Sequence, residues 1–181
     1  MGWRLKKTIV MVGMMGAGKT AVGTVVARVL GVPFRDSDDE IVKAAAMTIP
    51  EIFERDGEAF FRARESEVLA RLLRGAPCVL STGGGAFLAE GNRRMIAERG
   101  VSVWLKADLD VLWARVRHKT HRPLLRTANP RETLAQLLAA RAPVYAEAQL
   151  IVTSEASLPV DEMATRVIAA LADLPDVLER T

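Results

Sequence analysis

Cysteine occurs once in the 181 residues, at Cys78. One thiol excludes an internal disulfide framework and fits a reducing compartment. Histidine is nearly as scarce. His118 and His121 have no Cys or acidic partner at ligand spacing, so they read as solvent-facing rather than as a metal site. No stretch approaches the ~18 continuous apolar residues of a membrane span. Residues 1–17 have the basic, apolar, small-residue outline of a secretory leader. Gly13 and Gly16 interrupt the apolar run, however, and a Gly-Lys pair follows at once. Lys6 stops the N-terminal Met-Gly from continuing into a myristoylation signal. An excess of one charge is also missing. With 25 Lys+Arg against 22 Asp+Glu, the net charge of +3 is too small to imply nucleic acid as the main ligand, yet it fits a protein that holds an anion. Repeats, low-complexity tracts and linkers are lacking. So is any large apolar stripe beyond the needs of a core, which makes a monomer the expectation.

What remains is ordinary globular composition, 50% apolar and 26% charged. At about 150 residues per domain the length predicts one domain, residues 1–181, able to bury about 70% of its unfolded surface without staples. Strand candidates are Thr8–Val12, Val32–Arg35, Cys78–Ser81, Val101–Leu105 and Leu150–Thr153. All but the second are nearly continuous in apolar residues, as strands covered on both faces should be. Helical stretches fall at Lys19–Leu30, Asp39–Ala46, Ile49–Arg55, Glu58–Arg74, Asn92–Arg99, Asp108–Arg117, Pro130–Arg141 and Val160–Leu171. In the last, Val160, Met163, Val167, Ile168 and Leu171 share one face. The alternation predicts an α/β fold, a parallel sheet with helices on both faces, in a cytoplasmic protein.

Gly13-Met14-Met15-Gly16-Ala17-Gly18-Lys19-Thr20 matches G-x-x-x-x-G-K-[ST]. Glycines let the backbone aim its N–H groups at phosphate oxygens, and the following helix adds its positive end. Lys19 suits the β- and γ-phosphates, and the Thr20 hydroxyl suits Mg²⁺. Chance alone gives the pattern in roughly one such chain in two hundred. Its place between an apolar strand and an amphipathic helix (Val22, Val25, Val26, Val29, Leu30) makes chance rarer still. The loop predicts binding of a nucleoside triphosphate and leaves the phosphate acceptor open.

Candidates for the acceptor side follow the other strands. Asp36 and Asp38, two apart on an extended chain, point to one side at a strand's carboxyl end, with Ser37 pointing away. One carboxylate then serves the metal's water shell and the other an acceptor hydroxyl. Helix capping explains the cluster equally well, with Asp39 the clearest pure cap. Arg62 and Glu65 are spaced to pair on a helix. That pair is either a weak surface one or, with Phe53, Phe60 and Phe61 close by, an arginine at an apolar wall. Gly83-Gly84-Gly85 after Ser81-Thr82 is costly in chain entropy and suits close approach to a ligand. Arg115, Arg117, His118, Lys119, His121, Arg122 and Arg126 crowd a segment read as a mobile basic loop. It holds no aromatic residue to stack bases, so a lid that brings an arginine to phosphates fits better than a nucleic-acid patch. Arg141 stands in a last helical turn, where an arginine is ordinary.

GMMGAGKT at 13–20, DSD at 36–38, DGEAFFR at 56–62, GGG at 83–85, RPLL at 122–125 and RAPVY at 141–145 together resemble the shikimate kinase family over nearly the whole chain. The resemblance implies the three-layer fold of nucleoside monophosphate kinases. That fold has a five-stranded parallel sheet in order 2-3-1-4-5, a substrate-binding region at about 36–66 and a mobile lid at about 117–129. It implies transfer of the γ-phosphate of ATP to the 3-hydroxyl of shikimate, with Mg²⁺, in chorismate and aromatic amino-acid biosynthesis. Neither nucleic acid nor membrane would be a partner. Carried over by motif, Gly13, Gly16, Ala17, Gly18, Lys19, Thr20 and Ala21 would hold the nucleotide phosphates. Arg115 would stack on adenine, with Pro159 at its other face. Thr20 would bind Mg²⁺ directly, with Asp36 and Ser81 acting through water, whereas the stretch around Pro159 aligns only loosely. Lys19, Asp38 and Arg122 would be catalytic. Arg62 and Arg141 would bind the shikimate carboxylate, Gly84 its ring hydroxyls, and Phe53 and Phe61 would wall the pocket while Glu65 orients Arg62. Residues after Leu171 match no part of the pattern. A gluconate kinase of the same fold, a non-catalytic relative and a nucleic-acid-binding NTPase are the rival readings. The first has no need of the DSD, GGG and RAPVY set together, the second would have lost Lys19, Asp38 or Arg122, and the third lacks charge and stacking residues.

Overall fold

Strands as apolar as Thr8–Val12 must be covered on both faces, and the fold is built around that requirement. The computed structural model describes residues 2–118 and 126–181. In chain order the strands are β1 (Trp3–Leu5), β2 (Thr8–Val12), β3 (Phe34–Asp36), β4 (Val79–Ser81), β5 (Gly100–Lys106), β6 (Leu150–Thr153) and β7 (Leu178–Arg180). The helices are α1 (Lys19–Leu30), α2 (Ser37–Ala45), α3 (Ile49–Arg74), α4 (Glu90–Arg99), α5 (Leu109–Val116), α6 (Pro130–Tyr145) and α7 (Val160–Ala172). Strands β2 to β6 form one parallel sheet in the order β3-β4-β2-β5-β6, which is 2-3-1-4-5 when counted within the sheet alone. Every residue of β2 is buried.

Register decides what the sheet presents. Ser81 lies beside Met11 on one flank and Asp36 on the other. The carboxyl ends of β2, β3 and β4 therefore deliver the glycine loop, the aspartates and the Ser81–Gly85 turn to one edge, where ligands of open α/β sheets bind.

Several elements differ from the sequence expectation, each for a local reason. The second strand starts at Phe34 instead of Val32. Pro33 has no N–H for the ladder and contributes only its carbonyl, which accepts from Val79 N. Helix α2 starts at Ser37 instead of Asp39 because Asp36 is the cap: its Oδ1 accepts from Asp38 N (2.9 Å) and Asp39 N (3.2 Å). Asp39 is therefore not the pure cap. Asp38 sits in the first helical turn rather than on extended chain, and Ser37, expected to point away, is buried and accepts from Gly83 N at 3.4 Å. On α1 the buried face is Val22, Gly23, Val26, Ala27 and Leu30, which leaves Val29 exposed, and on α7 Val160 is exposed as well. The run after Leu171 is structured. β7 pairs antiparallel with β1, Lys6 pairs with Glu179 at 3.3 Å, and the Arg180 guanidinium lies over Trp3. Strands of three residues show no readable period, and these two are separated by almost the whole chain. Among the described residues no helix is long and apolar enough to cross a membrane.

The two helical stretches expected at 49–55 and 58–74 form α3, kinked at Gly57 with φ 84 and ψ 172. That region of backbone space is essentially restricted to glycine. The kink folds Ile49 and Phe53 over the cleft that Phe61, Arg62 and Glu65 line from the second half. Gly57→Ala is expected to lower stability by about 1–3 kcal/mol, read as a lower urea midpoint with an unchanged slope. An unshifted midpoint would show that alanine tolerates the kink.

Candidate active site

Residues 13–18 leave β2 and turn through Gly16 (φ 83) and Gly18 (φ 94) into α1. The helix N-terminus thereby opens onto a cleft of about 830 Å³. Unpaired N–H groups and the positive end of the helix dipole make this mouth an anion site. Lys19 Nζ donates to Gly13 O (2.5 Å) and Met14 O (3.2 Å), which holds the ammonium across the loop. Thr20 and Ala21 line the same wall. From α5, Arg115 reaches across to donate to Gly16 O at 2.9 Å and to Ser154 Oγ at 3.4 Å.

The opposite wall is built on the three glycines. A methyl group placed on Gly83 would lie 3.0 Å from Asp38 Oδ1, one on Gly84 2.9 Å from Arg141 Nη1, and one on Gly85 2.5 Å from Arg62 Nη2. Three successive residues without side chains thus admit one carboxylate and two guanidinium groups against the backbone. Arg62 donates to Glu65 Oε1 at 2.9 Å, and Glu65 is only 2% exposed. The surface-pair reading is therefore wrong: burial makes this a positioned pair at the cleft wall. Glu65 Oε2 is buried and takes no hydrogen bond among the described residues. Phe53 and Phe61 stack with ring centroids 4.8 Å apart, and Arg62 lies over the Phe61 ring. Phe60 faces the other side of α3, where Arg64 covers it, so two phenylalanines and not three wall the site.

Crowding of carboxylates sets the electrostatics. Burial, and then the neighbouring Asp36 and Glu65 charges, push the Asp38 carboxyl up to about 6 against a partial offset by Lys19. Burial also raises Asp36, against the hydrogen bond from Asp39 N. Glu65 is raised by burial despite its bond to Arg62. A carboxyl near 6 is ionised at neutral pH and still basic enough to take a proton from a hydroxyl in transfer.

Of the residues singled out in the sequence, Gly16, Gly18, Lys19, Thr20, Ala21, Asp36, Asp38, Phe53, Phe61, Arg62, Glu65, Ser81, Gly84, Arg115 and Arg141 meet at this cleft. Gly13 and Ala17 shape the loop from behind without lining the wall, and Pro159 caps α7 away from it, although Ser154 of the preceding connection touches Arg115. Arg122, with most of the expected lid, lies outside the described residues. Arg141 is not in a last turn: α6 runs on to Tyr145, past Pro143. Tyr145, quoted in a motif but given no role by sequence, is buried and donates to Gly84 O at 2.5 Å. Only its place in the fold reveals that contact.

Thr20 and Asp36 offer oxygen donors of the kind Mg²⁺ prefers, both at the cleft wall. Both cap bonds of Asp36 fall on Oδ1. No cluster of three or more His, Cys, Asp or Glu fit to hold a metal occurs among the described residues. That donor set fits a cation held mainly by substrate phosphates, with one or two protein groups.

A parallel sheet in this order, with a G-x-x-x-x-G-K-T loop entering a helix beside a carboxylate- and arginine-lined cleft, defines a P-loop kinase of small molecules. A family model described as shikimate kinase matches residues 15–172. A shikimate kinase of Cereibacter sphaeroides is 74% identical over 97% of this chain and 88% of its own length. One of Ruegeria pomeroyi is 72% identical over 97% and 90%. The solved shikimate kinase of Acinetobacter baumannii in complex with shikimate is 39% identical and superimposes with a TM-score of 0.84, covering 92% of this chain and 93% of that one. A gluconokinase of Sinorhizobium meliloti shares the fold at TM-score 0.62 and 22% identity. The chain belongs to the shikimate kinase family.

Because the guanidinium of Arg62 can swing away from an added methyl, Gly85→Ala should leave folding largely intact while displacing that arginine. The expected result is a rise of roughly tenfold in the KM of the acceptor, the scale of a charged hydrogen bond, with little change in the KM of ATP. An unchanged acceptor KM would detach Arg62 from the acceptor.

Proposed function

We infer that this chain transfers the γ-phosphate of ATP to the 3-hydroxyl of shikimate, giving shikimate 3-phosphate and ADP, in chorismate and aromatic amino-acid biosynthesis. Family membership supports the reaction. The acceptor-side assignments rest on one observation, the glycine turn against which Asp38, Arg141 and Arg62 are packed in succession. Shikimate carries a carboxylate and ring hydroxyls. Arg62 and Arg141 offer the forked donors a carboxylate requires, and the backbone of Gly84, beside Arg141, is available for a ring hydroxyl. Glu65 orients Arg62, while Phe53 and Phe61 cover the apolar face of the ring. Asp38 aligns the 3-hydroxyl and accepts its proton as the oxygen attacks phosphorus.

On the nucleotide side, the loop N–H groups and Lys19 hold the phosphates, and Lys19 offsets charge on the transferring group. Arg115 lies on the base side and Pro159 beyond it, an assignment resting on family pattern. Arg122, outside the described residues, is assigned to the phosphates on its RPLL motif alone. Thr20 and Asp36 are the residues to hold Mg²⁺, which when bound with ATP neutralises phosphate charge. We read the protein as a single-domain, cytoplasmic monomer that needs no nucleic acid or membrane.

An ADP-release assay over shikimate, gluconate and nucleoside monophosphates tests the function. Turnover with shikimate is expected, and turnover confined to either of the others would overthrow it. Asp38→Asn should abolish transfer and leave ATP affinity within about twofold, while full activity would remove Asp38 from its role. Since burial raises the Asp38 pKa, its base form is lost as pH falls through about 6. The kcat/KM should then drop about tenfold per unit below that point, and a flat profile to pH 5 would contradict it. The same shift means that ionised Asp38 costs folding stability above pH 6. The D38N protein is therefore expected to melt no lower than its parent at pH 8.

A further inference from the structure

Tyr145 is the one tyrosine of the chain, and it is fully buried. Its ring packs against Trp104 of β5, with centroids 5.8 Å apart. Its hydroxyl donates to Gly84 O at 2.5 Å. The Arg141 guanidinium, one helical turn earlier on α6, lies against the same glycine: a methyl group on Gly84 would stand 2.9 Å from Arg141 Nη1 and 3.6 Å from the Tyr145 hydroxyl oxygen. The hydroxyl has one proton, and the Gly84 carbonyl takes it, while the guanidinium beside it has only donors to offer. Burial keeps the phenol protonated, because it raises the Tyr145 pKa above its ordinary value.

Holding that carbonyl holds more than one atom. The Gly84–Gly85 peptide is planar and trans, so fixing the Gly84 oxygen also fixes the Gly85 N–H on the opposite edge. This is the stretch that Arg141 and Arg62 lie against. Other side chains pin the turn further along. Asn92 Nδ2 donates to Ala86 O at 2.9 Å, and Arg93 Nη1 donates to Phe87 O and Leu88 O at 2.8 Å each. Tyr145 differs from these in holding the glycine turn itself, beside an arginine of the cleft.

We propose that Tyr145 is a positioning residue for acceptor recognition, its hydroxyl holding the Gly84 peptide in place beside the Arg141 guanidinium so that backbone and cation meet shikimate in one fixed arrangement. The proposal rests on the assignment of Arg141 and Gly84 to the acceptor. A run of three glycines loses affinity unless something else fixes it, and a buried hydroxyl fixes this one before the ligand arrives.

Tyr145→Phe removes one oxygen and keeps the ring against Trp104. It is to be compared with Arg141→Lys and the double variant, using the full chain, with KM for shikimate and for ATP, kcat and melting temperature all measured. The expected result for Y145F is a rise of about fivefold in the KM of shikimate, the scale of a neutral hydrogen bond. The KM of ATP should stay within twofold, and kcat should fall by less than the KM rises. In the Arg141→Lys background the same change should add little, because the two residues act as a unit. Calorimetric binding of shikimate without nucleotide should weaken by the same factor. An unchanged shikimate KM in Y145F, with Arg141→Lys raising it, would overturn the role of Tyr145 and leave the site assignment standing. An unchanged shikimate KM in Arg141→Lys would overturn the site assignment itself. Equal rises in both KM values with a lower melting temperature would mark Tyr145 as merely structural and overturn the proposal, and so would full additivity with Arg141→Lys.

Discussion

Close approach of charged side chains to bare backbone at Gly83, Gly84 and Gly85 is the constraint on which the cleft wall opposite the phosphate loop depends. Asp38, Arg141 and Arg62 arrive from three different helices, α2, α6 and α3, and each lies where a side chain on the turn would stand. Three like residues in a row therefore do a job that no single one could. They bring a base and two cations to one small volume without any of them being displaced by Cβ atoms. The register of β2, β3 and β4 sets where this turn begins, and the hydrogen bonds from Tyr145, Asn92 and Arg93 set its course.

Opposite charges crowd that volume, and their balance accounts for the chemistry. Asp36, Asp38 and Glu65 are all partly or fully withdrawn from water, and burial raises each of them. Asp38 is raised further by the other two and ends near 6, poised between inert carboxylate and permanent acid. The cations do not cancel this. Arg62 is engaged with Glu65 and Lys19 with the loop carbonyls, while Arg141 lies against Gly84. Lys19 therefore offsets the rise of Asp38 only in part.

Much of this was legible before any coordinates. The apolar run Thr8–Val12 and the period of Lys19–Leu30 marked their elements to the residue, because a strand buried on both faces and a helix entered from a glycine loop leave unmistakable patterns. The residues of the cleft wall were legible only through motifs in combination, since Arg62, Glu65 and Arg141 taken singly read as surface ion pairs or helix ends. What was illegible depended on tertiary contact. Asp36 as cap, Ser37 as a buried acceptor and Phe60 turned away from the cleft follow from where α2 and α3 pack, not from spacing. The β1–β7 pairing joins the two ends of the chain and has no local signature. Tyr145 was the largest omission, because one buried tyrosine looks like core until its hydroxyl is traced to Gly84.

A crystal structure of the chain with shikimate and ADP tests the central claim most directly. The account requires the shikimate carboxylate to lie within about 3 Å of guanidinium nitrogens of both Arg62 and Arg141. It also requires the 3-hydroxyl at hydrogen-bond distance from Asp38 and the ring against the glycine turn. A carboxylate bound to other cations, or a 3-hydroxyl remote from Asp38 in that closed complex, would contradict it.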